Sequence, residues 1–186
     1  DADGDDRLDL YFVQCGGAGS SSTNQLYRQE PDGTFRDATA GSGLGVAGHG
    51  MGAIAGDVTN AGLPEIVFTE VGAVRLFHNR GGGRFVEVTE ESRIEDTRWA
   101  TAASFLDFDR DGWLDLIASN YVDYTASTNC RDARGRLEYC GPQGLQGTAA
   151  RLFRNLGGAK PRFEDVTVRS HLARATGPAL GVLCAD

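Results

Sequence analysis

Three segments of this chain repeat one another, and that repetition restricts the fold more than any other feature. Leu26-Tyr-Arg-Gln29 runs on to Phe35-Arg-Asp-Ala-Thr39. Leu76-Phe-His-Asn79 runs on to Phe85-Val-Glu-Val-Thr89, and Leu152-Phe-Arg-Asn155 to Phe163-Glu-Asp-Val-Thr167. Each reads as a short strand, a turn rich in Gly or Pro, and a second short strand. In the second copy Phe85, Glu87 and Thr89 alternate with Val86 and Val88, the period-two pattern of a half-buried hairpin.

A second element recurs between these hairpins: an apolar strand, an acidic loop and another apolar strand. Its fullest copy is Ala102-Ala-Ser-Phe-Leu-Asp107-Phe-Asp109-Arg-Asp111-Gly112-Trp-Leu-Asp115-Leu-Ile-Ala118. A weaker copy spans Gly52 to Phe68. Another opens the chain at Asp1 and runs into Leu10-Tyr-Phe-Val13, and a further one begins at Ala179. The repeats divide as 1–56, truncated at its start, 57–106, 107–178 with an insert at 121–148, and the start of another at 179–186. Units of about 50 residues with four short strands, stacked in series, are propeller blades. The expected class is therefore all-β, a β-propeller of which this chain supplies about three four-stranded blades. Glycine interrupts every window that could hold a helical period. Three blades do not close a ring, and both ends fall inside a repeat. The expectation is part of a longer chain, or an assembly of copies that completes the ring.

Glycine supplies 26 of the 186 residues, which suits many tight turns. The net charge of −8 and a single lysine exclude a nucleic-acid partner, which needs clustered positive charge. No apolar stretch approaches the roughly 20 residues of a transmembrane helix. The four cysteines form no CxxC pattern. Cys130 and Cys140 flank a polar, Arg-rich segment and are expected to form a disulfide, which favours an oxidising compartment: extracellular, cell surface or periplasm. Cys15 and Cys184 lie in distant repeats. They are read as buried free thiols, or one of them as the partner of a residue outside the chain.

The acidic loops carry the candidate chemistry. Ca²⁺ takes six to eight oxygen ligands at about 2.3–2.6 Å. Asp107, Asp109 and Asp111 stand at alternate positions and turn inward as the chain curls. Gly112 allows positive φ, the Trp113 carbonyl supplies a backbone ligand, and Asp115 closes the cage. The spacing matches the first half of an EF-hand loop, but the last acid falls at position nine, which suits a strand-to-strand connection. Asp1, Asp3, Asp5 and Asp9 keep all four acids, with Asp6 where glycine is expected; aspartate tolerates the left-handed region. The copy with Asp57, Thr59, Ala61 and Glu65 has lost two carboxylates and is expected to bind weakly or not at all. The count expected is about two Ca²⁺ ions.

The Asp-x-Asp-x-Asp-Gly-x-x-Asp-Leu loop, followed by Leu-Phe-x-Asn and Phe-x-Asp-Val-Thr, resembles the FG-GAP/VCBS repeats of integrin alpha-chain propellers. Closer still is the likeness to the bacterial ASPIC/UnbV-associated, cartilage-acidic-protein-like group. Asn120-Tyr-Val-Asp-Tyr124, Tyr139-Cys-Gly-Pro-Gln143 and Leu180-Gly-Val-Leu-Cys-Ala-Asp186 are similar to that group's sequences. The resemblance implies a secreted, seven-bladed propeller with calcium loops on one rim. It carries the ligand role to Asp107, Asp109, Asp111 and Asp115. It extends that role to Asp1, Asp3, Asp5 and Asp9 with the departure at position six.

Three functions are compatible with these residues. The first is a calcium-stabilised module that binds a protein or glycan through its rim loops and the insert 121–148, where Tyr124, Arg131, Arg134, Arg136 and Tyr139 are of interface type. The second is an accessory part of a secreted polysaccharide-acting enzyme. The third is an architectural subunit of a larger membrane-associated assembly. No Gly-x-Ser-x-Gly, His-Glu-x-x-His or P-loop pattern is present, and His49, His78 and His171 have no partner motif. The chain is read as not an enzyme in its own right.

Overall fold

The computed structural model describes residues 1–16, 20–124, 130–138, 140, 141 and 144–184. Among the described residues, fifteen strands account for nearly all of the regular structure. The first sheet holds β1 (Leu10–Phe12), β2 (Gln25–Gln29) and β3 (Phe35–Asp37), in that order. The second is a meander of β4 (Gly50–Gly56), β5 (Glu65–Glu70), β6 (Ala73–Asn79) and β7 (Phe85–Glu87). The third is built from β8 (Ala100–Leu106), β9 (Asp115–Asn120), β13 (Arg151–Asn155) and β14 (Phe163–Asp165), in the order β14-β13-β9-β8. Its insert forms a hairpin, β10 (Cys130–Arg131) with β11 (Leu137–Glu138). It also forms β12 (Thr148–Ala149), which pairs with β15 (Thr176–Gly177). Every pairing is antiparallel. The one helical element described is a single 3-10 turn, Leu172–Arg174.

The sheets stand one strand out of step with the repeats as counted from the acidic loop. The strand before each loop, β4 or β8, and the strand after it, β5 or β9, are neighbours in one sheet. The loop is thus the turn between an edge strand of a blade, β4 or β8, and its neighbour.

Stacking explains why the middle strands are apolar on both faces. In β5 the run from Glu65 to Thr69 is wholly buried. Ile66 and Phe68 join Leu26, Leu44, Phe77 and Phe85 between the first and second sheets. Val67 faces the other way, with Val74, Leu76, Ala103, Leu116, Phe153 and Phe163, between the second and third. The Leu-Phe pair is divided by the same alternation: Leu76 turns to the following blade and Phe77 to the preceding one. Each such side chain contributes about 1.5–3 kcal/mol on full burial. Gly56 is required here, since a Cβ on it would lie 2.6 Å from the Phe105 ring of the next blade.

The remaining motif positions close hydrogen bonds. The hydroxyls of Thr39, Thr89 and Thr167 each accept the amide of Leu26, Leu76 and Leu152, at 3.0 Å in all three repeats. The Phe85 amide donates to Ser42 O at 2.7 Å and the Phe163 amide to Ser92 O at 3.0 Å, tying each outer strand to the blade before it. In the first blade Tyr11 accepts from Asn24 Nδ2 at 2.8 Å and donates to Leu44 O at 3.1 Å, and burial pushes its phenol up to about 12.

Cys130 and Cys140 form the expected disulfide, with Cα atoms 5.1 Å apart, closing the β10–β11 hairpin. Cys15 and Cys184 are free. Cys15 is exposed, contrary to the expectation of a buried thiol: it lies beyond β1, at an isolated bridge to His49, and Cys184 is only half-buried. Tyr139, Ala185 and Asp186 lie outside the described residues.

Candidate metal loops between adjacent strands

The three acidic loops share one backbone. Position six has positive φ in each: 66° at Asp6, 82° at Gly62 and 85° at Gly112. Asp6 therefore adopts the conformation expected of the glycine it replaces. Position four is also left-handed, at Gly4 (83°), Asn60 (53°) and Arg110 (60°). That second turn escaped sequence reasoning because an arginine gives no signal of it.

The first acid of each loop is an organiser of backbone amides. Asp1 accepts from Gly4 at 2.7 Å and from Asp5 and Asp6 at 3.0 Å. Asp57 accepts from Thr59, Ala61 and Gly62 at 3.2, 3.0 and 2.7 Å. Asp107 accepts from Asp111 at 3.0 Å and Gly112 at 2.9 Å. The last acid is equally structural. Asp115 is fully buried and accepts the amides of Phe108 at 3.0 Å and Asn155 at 2.7 Å. Burial raises its pKa against the opposing pull of those two amides. Asp9 repeats the pattern with Ala2 and Gln29, and Glu65 accepts from Val58.

Carboxylate oxygens of Asp1, Asp3 and Asp9 lie within 4.8 Å of one another, as do those of Asp107, Asp109 and Asp111. Asp5 stands apart from the first group, paired to Arg7 and, at 3.8 Å, to Arg28. Asp115 stands apart from the second. Trp113 directs its amide at Asp111 Oδ1, 3.0 Å away, and its indole packs on Gly157.

A basic side chain on the neighbouring strand meets every loop, and the sequence reading missed it. Arg154 places Nε 2.5 Å from Asp109 and an Nη 2.7 Å from Asp111. Arg28, at the same register, pairs with Asp3. In the weakened loop that register holds His78, whose Nδ1 is 2.7 Å from buried Glu65; desolvation raises the pKa of this carboxyl, and His78 opposes the rise. The signal was present as the third residue of Leu-Phe-x-Asn, but nothing local told that it faces an acidic loop.

The donor set suits a hard divalent cation, being all carboxylate oxygen. Asp3 Oδ1 is buried with no hydrogen-bond partner among the described residues, and its side chain is only 3% exposed. A buried carboxylate oxygen left without a donor is the group a cation satisfies.

The comparisons agree with this architecture. A family model described as FG-GAP-like repeat matches residues 1–68 and again 57–118, the segments that hold the acidic loops and their flanking strands. Cartilage acidic protein 1 of Homo sapiens is 26% identical over 131 residues, 65% of this chain, and that of Mus musculus is 25% identical over the same length. The chain spans 20% of the length of these relatives. Tandem matches over the repeats, acidic loops of one geometry and blades packed face to face place this chain in the FG-GAP-like repeat family.

Proposed function

We propose that this chain is a calcium-binding β-propeller module that works outside the cytoplasm as a binding or scaffolding surface and carries out no catalysis itself. The observation that supports it most is the buried, unpartnered Asp3 carboxylate oxygen beside the carboxylates of Asp1 and Asp9. Asp1, Asp3 and Asp9 would hold one ion, with Asp5 joining once Arg28 yields. Asp107, Asp109 and Asp111, with the Trp113 carbonyl and Asp115 behind them, would hold the other. The ion supplies cross-linking charge and no chemistry. Loss of two carboxylates and the His78–Glu65 pair argue that the loop at Asp57 takes none. The Cys130–Cys140 disulfide supports an extracellular, cell-surface or periplasmic location. Among the described residues no helix is long and apolar enough to cross a membrane. A protein or glycan partner is the reading of the rim loops and the insert 121–148.

Thermal unfolding in excess Ca²⁺ and in chelator, with calorimetric counting of ions, tests the reading. Two ions are expected, each adding about 2.7 kcal/mol at one hundred times its dissociation constant. Asp3→Asn and Asp109→Asn should each remove one. An unchanged melting temperature with no bound ion would sink the calcium reading.

The guanidinium of Arg154 occupies the position where a cation's charge would act. Arg154→Met is expected to tighten Ca²⁺ binding at the Asp107 loop roughly tenfold, since a like charge a few ångströms from the ion is removed. Weaker binding in this variant would show instead that the arginine holds the acids in place for the ion.

A further inference from the structure

The ends of the sheets opposite the acidic loops carry a second feature. Strand β8 runs from Ala100, next to Trp99, to Leu106, next to Asp107. Its seven residues span about 23 Å at ~3.3 Å per residue, so Trp99 and the acidic loop lie at opposite ends of the blade. His49 holds the matching place before β4. The two rings are neighbours, with centroids 6.4 Å apart. Tyr121 and Tyr124 stand edge-on to Trp99 at 5.3 and 5.5 Å. Equivalent positions of successive blades thus join into one aromatic row.

The row is held by backbone. Trp99 is bridged to Val71, and its carbonyl accepts the Tyr121 amide at 2.9 Å. The Asp123 amide donates to Gln146 O at 2.8 Å, and Arg98 Nη1 donates to Ala149 O at 2.9 Å. A cavity of about 390 Å³ is lined by Arg98 and Asp123, the chain neighbours of Trp99 and Tyr124, together with Gln146 and Thr148; the rings themselves stand outside its lining. Polar atoms at this place that are buried and have no partner among the described residues include Trp99 Nε1, Thr148 Oγ1 and Arg151 Nε. Tyr124, by contrast, is 45% exposed.

We propose that this row and cavity form a saccharide-binding site. A sugar ring presents an apolar C–H face and a rim of hydroxyls that both donate and accept. It therefore needs aromatic surface beside polar groups of both kinds. Tyr124 and Trp99 supply the aromatic surface. The Arg98 guanidinium, the Asp123 carboxylate, the Gln146 amide and the Thr148 hydroxyl supply donors and acceptors around it. The volume falls within the range of small-ligand pockets. A divalent cation fits poorly, because no cluster of acids gathers here among the described residues. The proposal rests on the reading of the chain as a binding module, but not on calcium.

The chain has two tryptophans, so Trp113→Phe leaves Trp99 as the sole indole reporter. Titration of that variant with short neutral and uronate-containing oligosaccharides, followed by fluorescence and by saturation-transfer NMR, is expected to find a binder. Tyr124→Ala, at an exposed position, should weaken it about tenfold while the melting temperature holds. Arg98→Gln should weaken it comparably. Binding should persist in chelator and in Asp109→Asn. Failure of every oligosaccharide, or binding indifferent to Tyr124→Ala and Arg98→Gln, overturns the site. Neither result touches the calcium-dependent melting shift, so the module reading stands or falls separately.

Discussion

Asp115→Ala is expected to lower the unfolding free energy of the chain by about 3 kcal/mol in the presence of chelator, whereas Asp109→Ala should change it by less than about 0.5 kcal/mol. Both acids belong to one loop, yet their surroundings differ. Asp115 is fully buried and is the acceptor for the Phe108 and Asn155 amides. Alanine leaves both amides without a partner, and each buried unpaired group costs about 1–3 kcal/mol. Relief of a desolvated carboxylate offsets part of that loss, which holds the total near the middle of the range. Asp109 is partly exposed and its side chain pairs with Arg154, so its removal costs little until a cation is present. Denaturant unfolding of the two variants with and without Ca²⁺ measures the difference. Equal destabilisation in chelator would show that the loop is one cooperative unit and not a structural acid joined to exposed ligands.

The same division separates what was legible in the sequence from what was not. The hairpins could be read because their signals are local: period-two alternation in Phe85–Thr89 and glycine at the turns. The acidic loops could be read because the acids, Gly112 and the flanking apolar strands all lie within one short segment, and even Asp6 took the left-handed conformation expected of it. The Cys130–Cys140 link followed from proximity in the chain. What escaped was everything that passes between blades or between strands of one blade. Arg154 meets Asp109 across 45 positions, and nothing in Leu-Phe-Arg-Asn announces an acidic partner. The aromatic row joins His49, Trp99 and Tyr124, each unremarkable in its own segment. Register by one strand also escaped. A repeat can be cut at any point along its period, and only pairing of β4 with β5 shows that the loop sits inside a blade.

The asparagine of Leu-Phe-x-Asn gives the second large effect, and it joins these levels. Asn155 is buried, and its Nδ2 donates both to Leu114 O at 3.0 Å in its own blade and to Val58 O at 2.8 Å in the preceding acidic loop. Its Oδ1 accepts the Gly157 amide at 2.9 Å. Asn79 repeats the arrangement, donating to Pro64 O and Ala2 O at 3.1 and 3.0 Å. Asn155→Leu keeps the volume but deprives two carbonyls and an amide of their partners. The expected loss is about 3–4 kcal/mol, three net hydrogen bonds plus a desolvation penalty. A side chain that merely finished its own hairpin would disturb only its own blade. This one spans 97 positions, so hydrogen exchange should quicken at residues 58–62 of the preceding loop as well as at 155–157. Exchange confined to 155–157, with a loss near 1 kcal/mol, would mean that adjacent blades are held by their apolar faces alone. Faster exchange in both loops would make the asparagine the link through which order in one acidic loop reaches the next, and the reason it recurs beside each leucine–phenylalanine pair.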